Sequence, residues 1–134
     1  MSPSGEGRLV HHELCFGCGR ANLFGLLTEA QAGTQGAVSG RCFIKQDHQG
    51  PAPGKTHPGI LAAALIETMA LASGVGKYPE SVQIEFAGQP AVGGFLDLEA
   101  EVESVDGRHR TVHGRARSEG TTVVAGRAVF WHEG

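Results

Sequence analysis

From Ile60 to Ala72 the chain reads ILAAALIETMALA, apolar at every position except Glu67 and Thr68. A helix that is apolar on every side has to be covered on every side. This run is too short to span a bilayer, so its cover is expected to be protein. A carboxylate on such a helix is costly unless it is paired, hydrogen-bonded or used. Glu67 is therefore the residue that any account of this chain has to explain.

The helix is expected to begin near Pro58, because proline suits a first helical turn. Thr56 is a candidate N-cap, and Gly74 or Gly76 a candidate C-terminal stop. Ahead of it, the loop from Gln46 to Thr56 carries Pro51, Pro53 and Gly54, a composition that argues against regular structure. Two strands are expected earlier, Leu23–Ala30 and Ala37–Ile44, the second with Val38, Cys42 and Ile44 on one face and Phe43 on the other. Four more alternating segments follow the helix: Ser81–Ala87, Phe95–Val105, Arg110–Ser118 and Thr121–Trp131. In the first, Val82, Ile84 and Phe86 share a face. In the second, Leu96, Leu98, Ala100 and Val102 oppose the acidic row Asp97, Glu99, Glu101 and Glu103. Asp106-Gly107 and Glu119-Gly120 are the turn signals between them. Such alternation means one buried and one wet face.

The expected fold is α+β: an antiparallel sheet of five to six strands wrapped around one long central helix, the hotdog arrangement. Residues 1–10 are read as a flexible lead and 11–134 as a single domain. One sheet covers an all-apolar helix only if it curls strongly or a second subunit helps, so a homodimer, or a dimer of dimers, is expected.

Net charge is −3 and charged residues make up 19%, which leaves no basic footprint for nucleic acid. The segment MSPSGEGRLV lacks a basic start followed by an apolar core, so no secretory signal is read. A cytoplasmic setting with three reduced thiols follows as an expectation. Neither a membrane nor a nucleic acid is an expected partner.

Three pieces of the chain resemble the hotdog-fold acyl-CoA thioesterases, in particular the PaaI-like and 4-hydroxybenzoyl-CoA thioesterase group. They are CFGCG at Cys15–Gly19 followed by NLFGL at Asn22–Leu26, HQG at His48–Gly50 followed by HPGI at His57–Ile60, and VQIEFAGQPAVGG at Val82–Gly94. The resemblance implies a His-Gly-Gly element at the helix start, whose first Gly donates a backbone N–H to the thioester carbonyl. It also implies an acid eight residues later. Two registers fit this chain. Matching His57 to the family His puts Pro58, which has no N–H, at the donor position and Ile66 at the acid position. Matching Gly59 to the donor puts Glu67 at the acid position. The second register explains Glu67 and is preferred.

The chemistry then expected is hydrolysis of an acyl-CoA thioester. Glu67 acts as base or nucleophile and the Gly59 N–H as carbonyl donor. Eight helical residues rise about 12 Å, so the two groups meet only across a pair of antiparallel helices. His48 and Gln49 are candidates to position water or bond Glu67, and His57 to steer the loop or cap the helix; each also reads as an ordinary loop residue. The reaction requires no cofactor and no metal. Cys15-x-x-Cys18 beside His11 and His12 has metal-like spacing, but zinc wants four ligands and these supply them only with strain. A turn packed by Phe16 is the reading preferred. Cys42 reads as core, Trp131 as a packing residue. Arg108, Arg110, Arg115 and Arg117 read as cross-strand partners of the acidic row, with coenzyme A phosphates as the alternative contact for some of them. Two alternatives stand beside hydrolysis: a non-catalytic acyl-CoA-binding hotdog protein, and a hotdog dehydratase or hydratase pairing His48 with Glu67.

Overall fold

The computed structural model describes residues 7–34, 36–74 and 78–131. In chain order the elements are β1 (Arg8–Leu9), β2 (Glu29–Ala32), β3 (Ala37–Phe43), the helix α1 (Pro58–Ser73), β4 (Pro79–Phe86), β5 (Phe95–Asp106), β6 (His109–Ser118) and β7 (Thr121–Trp131). The strands form one seven-stranded sheet in the order β1-β2-β3-β5-β6-β7-β4, and every pairing is antiparallel. The helix lies against the inner face of this sheet, as a hotdog core requires.

A row of small residues lets the helix come so close. In register across the sheet stand Val38, Ala100, Gly114, Gly126 and Ile84. A Cβ on Gly114 would lie 3.0 Å from Met69 Cγ and 3.1 Å from Leu65 Cδ1, and one on Gly126 3.2 Å from Leu65 Cδ2. Leu65 and Met69 thus rest on bare backbone at the centre of the sheet. Both are fully buried, together with Leu61, Leu96, Leu98, Val112, Val124 and Phe130. The alternation expected of β3 and β5 is present: Val38, Cys42, Ile44, Leu96, Leu98 and Ala100 are buried while Phe43 and Phe95 face outward.

The two hairpins that join β5, β6 and β7 fall where their turn residues stand. Glu119 and Gly120 have φ of 51° and 82°, the double left-handed turn that matches strand twist. Gly107 has φ 61° and joins β5 to β6 between Asp106 and His109.

Several expectations need correction. The sheet has one strand more than the expected five or six, because Arg8–Leu9 pairs with Gln31 and Ala30. The segment Leu23–Thr28 is not strand; β2 begins only at Glu29. Leu26 N–H donates to Phe16 C=O (2.7 Å) and Thr28 N–H to Gly17 C=O (2.9 Å). These bonds fix the segment to the preceding loop and hold Leu27 between them at φ 52°. The loop after β3 contains a single 3₁₀ turn, Gln46–His48. Phe86 is exposed although Val82 and Ile84 are half-buried, since it sits at the far end of an edge strand. Gly74 ends the helix; Gly76 lies outside the described residues. On the outer face Arg115 and Arg117 bond Glu99, as expected, but Glu103 takes Arg127 instead. Arg110 reaches back to the Ser73 carbonyl, and Arg108 stacks over Trp131.

Candidate active site

The start of α1 is built by a chain of backbone bonds. His57 N–H donates to His48 C=O at 2.8 Å, and Pro58 opens the helix. His57, not Thr56, is the N-cap: its Nδ1 accepts from Gly59 N–H at 2.8 Å. Thr56 is turned away, its hydroxyl donating to Pro90 C=O at 2.8 Å. The backbone donor proposed for a carbonyl is therefore on the first turn, and it already has an acceptor.

His48 is buried, and burial lowers its pKa below 6.5, with the Asp47 carboxylate pulling the other way. Its Nδ1 accepts from Lys45 N–H at 3.2 Å, and its Nε2 lies 4.0 Å from Asp47. Gln49 staples the same loop, accepting from Gly54 N–H at 2.6 Å and donating to Gln46 C=O at 3.0 Å. These contacts make His48 and Gln49 the scaffold of the helix start. None of them reaches Glu67, so the His48–Glu67 pair of a dehydratase is not formed in this chain.

Glu67 sits two turns further on and is only 9% exposed. Its carboxylate meets residues far away in sequence. Oε2 is 3.0 Å from His11 Nδ1, and Cys15 Sγ lies 3.7 Å and 3.9 Å from its two oxygens. His11 Nδ1 is also 3.6 Å from Cys15 Sγ and 3.5 Å from Cys18 Sγ. Gly17 is what admits the carboxylate: a Cβ there would stand 2.3 Å from Glu67 Cδ. Burial, and then the neighbouring Glu67 carboxylate, push the Cys18 thiol well up. Burial also pushes Cys42 up, to about 12, as befits the core residue it was expected to be. All three cysteines are free. One donor atom from each of His11, Cys15, Cys18 and Glu67 lies within 4.8 Å of the other three. Imidazole, thiolate and carboxylate are the donor types that bind zinc.

Two expectations about this loop change. Phe16 does not pack the turn; it is about half exposed, and the loop instead presses Gly17 and the two thiols onto Glu67. His12 is no part of the cluster, its Nδ1 accepting from Leu14 N–H at 3.2 Å. The sequence carried both halves of the signal, a Cys-x-x-Cys pair and an unexplained carboxylate, but nothing along the chain joins residue 15 to residue 67.

One cavity lies on the sheet and a smaller one at the helix start. The larger, about 790 Å³, opens on the outer sheet face among Gln83, Glu85, Glu99, His113, Arg115 and Arg127, on the opposite side of the sheet from α1. The smaller, about 130 Å³, lies at the helix start between Thr56, Pro58, Leu61 and Phe86.

No protein-family model and no curated protein matches the chain. Solved structures do. A thioesterase superfamily protein superposes with a TM-score of 0.81 at 24% identity, over 89% of this chain and 60% of that one. The chain thus spans about 60% of that protein's length. A phenylacetic acid degradation-related protein from Ralstonia eutropha superposes with a TM-score of 0.71 at 19% identity, over 79% of this chain and 85% of that one. A mutant of the phenylacetic acid degradation protein PaaI from Thermus thermophilus gives 0.73 at 19% identity, over 79% and 93%. These likenesses show the hotdog fold. No helix among the described residues is long and apolar enough to cross a membrane.

Proposed function

We propose that this chain is a thioester hydrolase acting on a small-molecule acyl thioester of the acyl-CoA kind. Glu67 is its base or nucleophile and the Gly59 N–H its carbonyl donor. The observation that carries this reading is the buried Glu67 carboxylate on the central helix, eight residues beyond a glycine amide in the first turn. A helix N-terminus offers free N–H groups and the positive end of the dipole, where charge grows on the carbonyl oxygen during attack. In the general-base form, water attacks the carbonyl carbon as Glu67 takes its proton. The C–S bond then breaks, and that proton passes to the leaving sulfur, giving acid and thiol.

One chain does not bring the two groups together, because the helix separates them by about 12 Å. An antiparallel pair of α1 helices does. Ala62 and Ile66, one turn apart, are only half-buried on α1, and β4 pairs with β7 alone among the described strands. An apolar stripe on the helix and an open strand edge support a homodimer with shared sites; a dimer of dimers is a further extension. The small cavity beside Pro58 and Leu61 suits the first carbons of an acyl chain. The thioester carbonyl enters by displacing His57 Nδ1 from the Gly59 amide.

The test is release of free thiol from a panel of acyl-CoA esters by wild type and Glu67→Gln. Turnover by wild type that falls about 10²–10⁴-fold in the variant supports the reading. One observation favours a second reading, an acyl-thioester-binding protein without turnover: both working groups already have partners in the chain, Gly59 with His57 and Glu67 with His11. Folded wild type that binds the esters and releases no thiol from any of them decides for that reading.

A further inference from the structure

The loop from Val10 to Thr28 has no regular secondary structure. So long an irregular stretch in a small domain is usually functional, or held by something other than its own packing. It carries Leu14, Phe16, Leu23 and Phe24 exposed to solvent, and of its large apolar side chains only Leu26, near its far end, is buried in the core. What faces the helix instead is His11, Cys15 and Cys18, converging on Glu67.

We propose that His11 Nδ1, Cys15 Sγ, Cys18 Sγ and a carboxylate oxygen of Glu67 form a tetrahedral Zn²⁺ site that clamps this loop to the central helix. With ordinary zinc–sulfur, zinc–nitrogen and zinc–oxygen bonds, the edges of such a tetrahedron are about 3.3–3.8 Å. The nitrogen–sulfur distances here are 3.6 and 3.5 Å. The sulfur–oxygen distances from Cys15 are 3.7 and 3.9 Å. The nitrogen–oxygen edge, at 3.0 Å, opens by a few tenths of an ångström around an ion. Four of the six edges are thus close to those zinc imposes, and the two remaining edges, from Cys18 Sγ to Cys15 Sγ and to the Glu67 oxygen, are within 4.8 Å.

Charge points the same way. Two thiols and a carboxylate crowd one partly buried pocket, a costly arrangement for three potential anions. A bound dication converts both thiols to thiolates and neutralises most of that charge. The neighbouring backbone fits as well. His11 N–H donates to Cys18 Sγ at 3.1 Å, a bond that favours the thiolate. Gly17, between the two cysteines, leaves the room that the Glu67 carboxylate needs. Four protein ligands close the coordination shell, as in structural zinc sites.

This inference does not rest on thioester hydrolysis. It does bear on it, because a zinc-held Glu67 has its lone pair committed to the ion, and the metal-free form is then the hydrolytic one.

The test uses the full chain, stripped with a chelator and titrated with Co²⁺, then Zn²⁺. One equivalent of cobalt per chain is expected. Its spectrum should show the intense visible bands of a tetrahedral ion and a near-ultraviolet thiolate-to-metal charge-transfer band, and zinc should displace it. Cys15→Ser should remove a large part of the charge-transfer band. Glu67→Gln should keep that band and weaken zinc affinity at least about tenfold. His12→Ala should change nothing. Zinc should also raise the melting temperature of wild type, and not that of Cys15→Ser. The half-buried position of Cys15 makes that variant the one expected to fold, with circular dichroism as the check. If it does not fold, the wild-type cobalt spectrum decides alone. Folded wild type without a charge-transfer band overturns the site, as does a band unchanged in folded Cys15→Ser. Thiol release is assayed separately on stripped and zinc-loaded protein. A zinc site with no turnover in either form leaves this inference standing and removes the hydrolase, whereas Glu67-dependent turnover without metal binding does the reverse.

Discussion

The Gly59 amide, on the first turn of α1, is held by the imidazole of His57. That bond is an N-cap, and its loss should cost about 1 kcal/mol of stability. In a chain of this size that is a fall of roughly 3–6 °C in Tm. His57→Ala should show this shift by calorimetry. If Gly59 receives a thioester carbonyl, the same variant should lower KM, since substrate no longer displaces a resident acceptor. His48 gives a pH signature. Its pKa is lowered in the folded chain below 6.5, so on acidification the unfolded chain takes up the proton first. The stability it contributes is fully present above pH 6.5. It declines as pH falls through 6.5 and toward the lower folded value, with Asp47 opposing and Lys45 reinforcing the shift. Denaturant unfolding of wild type and His48→Gln across that window should show the shallower acid decline in the variant. Equal slopes would remove His48 from the acid response.

At the scale of elements, close contact between α1 and the sheet depends on the small-residue row through Gly114 and Gly126. A Cβ on Gly126 would stand 2.6 Å from the Gln83 carbonyl oxygen, which is backbone and has little room to move. Gly126→Ala should therefore destabilise the protein by about 1–3 kcal/mol, read as a lower midpoint in denaturant with an unchanged slope. The strands themselves were legible because each obeys one local rule. Leu96, Leu98 and Ala100 alternate with acids, and Asp106-Gly107 and Glu119-Gly120 can hardly be anything but turns. The helix was legible from its apolar run and Pro58. What local rules did not reach was the segment Leu23–Thr28, which looks like a strand but is held as a loop by bonds to Phe16 and Gly17. The cap was misread for a similar reason: Thr56 has the better capping side chain, but Pro90 takes its hydroxyl.

At the scale of the molecule, the central helix is covered by its own sheet and by the Val10–Thr28 loop, with Ile60, Ala62, Ala63, Ile66 and Ala72 left half-buried. The expectation that one chain would not cover such a helix came from its composition, and the proposed pairing surface is Ala62 and Ile66. Ala62→Arg should yield a folded monomer by sedimentation, with thiol release lost if sites are shared between chains. A dimer that persists in this variant would place the pairing surface elsewhere. The candidate site was half legible in the same sense. Glu67 stood out because a carboxylate on an apolar helix demands a reason, but the reason lies in residues 11, 15 and 18, and only the folded chain brings them to it.

The sheet order carries a consequence for how the chain is made. The strand β7 is inserted between β6 and β4, so the edge formed right after the helix has no neighbour until residues 121–131 have been synthesised. A ribosome-bound chain lacking them holds β4 and one side of α1 uncovered. Long-range pairing of this kind is slow and exposes sticky surface while it waits. The closing step of folding thus waits for β7. A stalled nascent chain ending at Ser118 is expected to recruit chaperones, whereas one tethered through a linker long enough to bring Trp131 out of the ribosome is not.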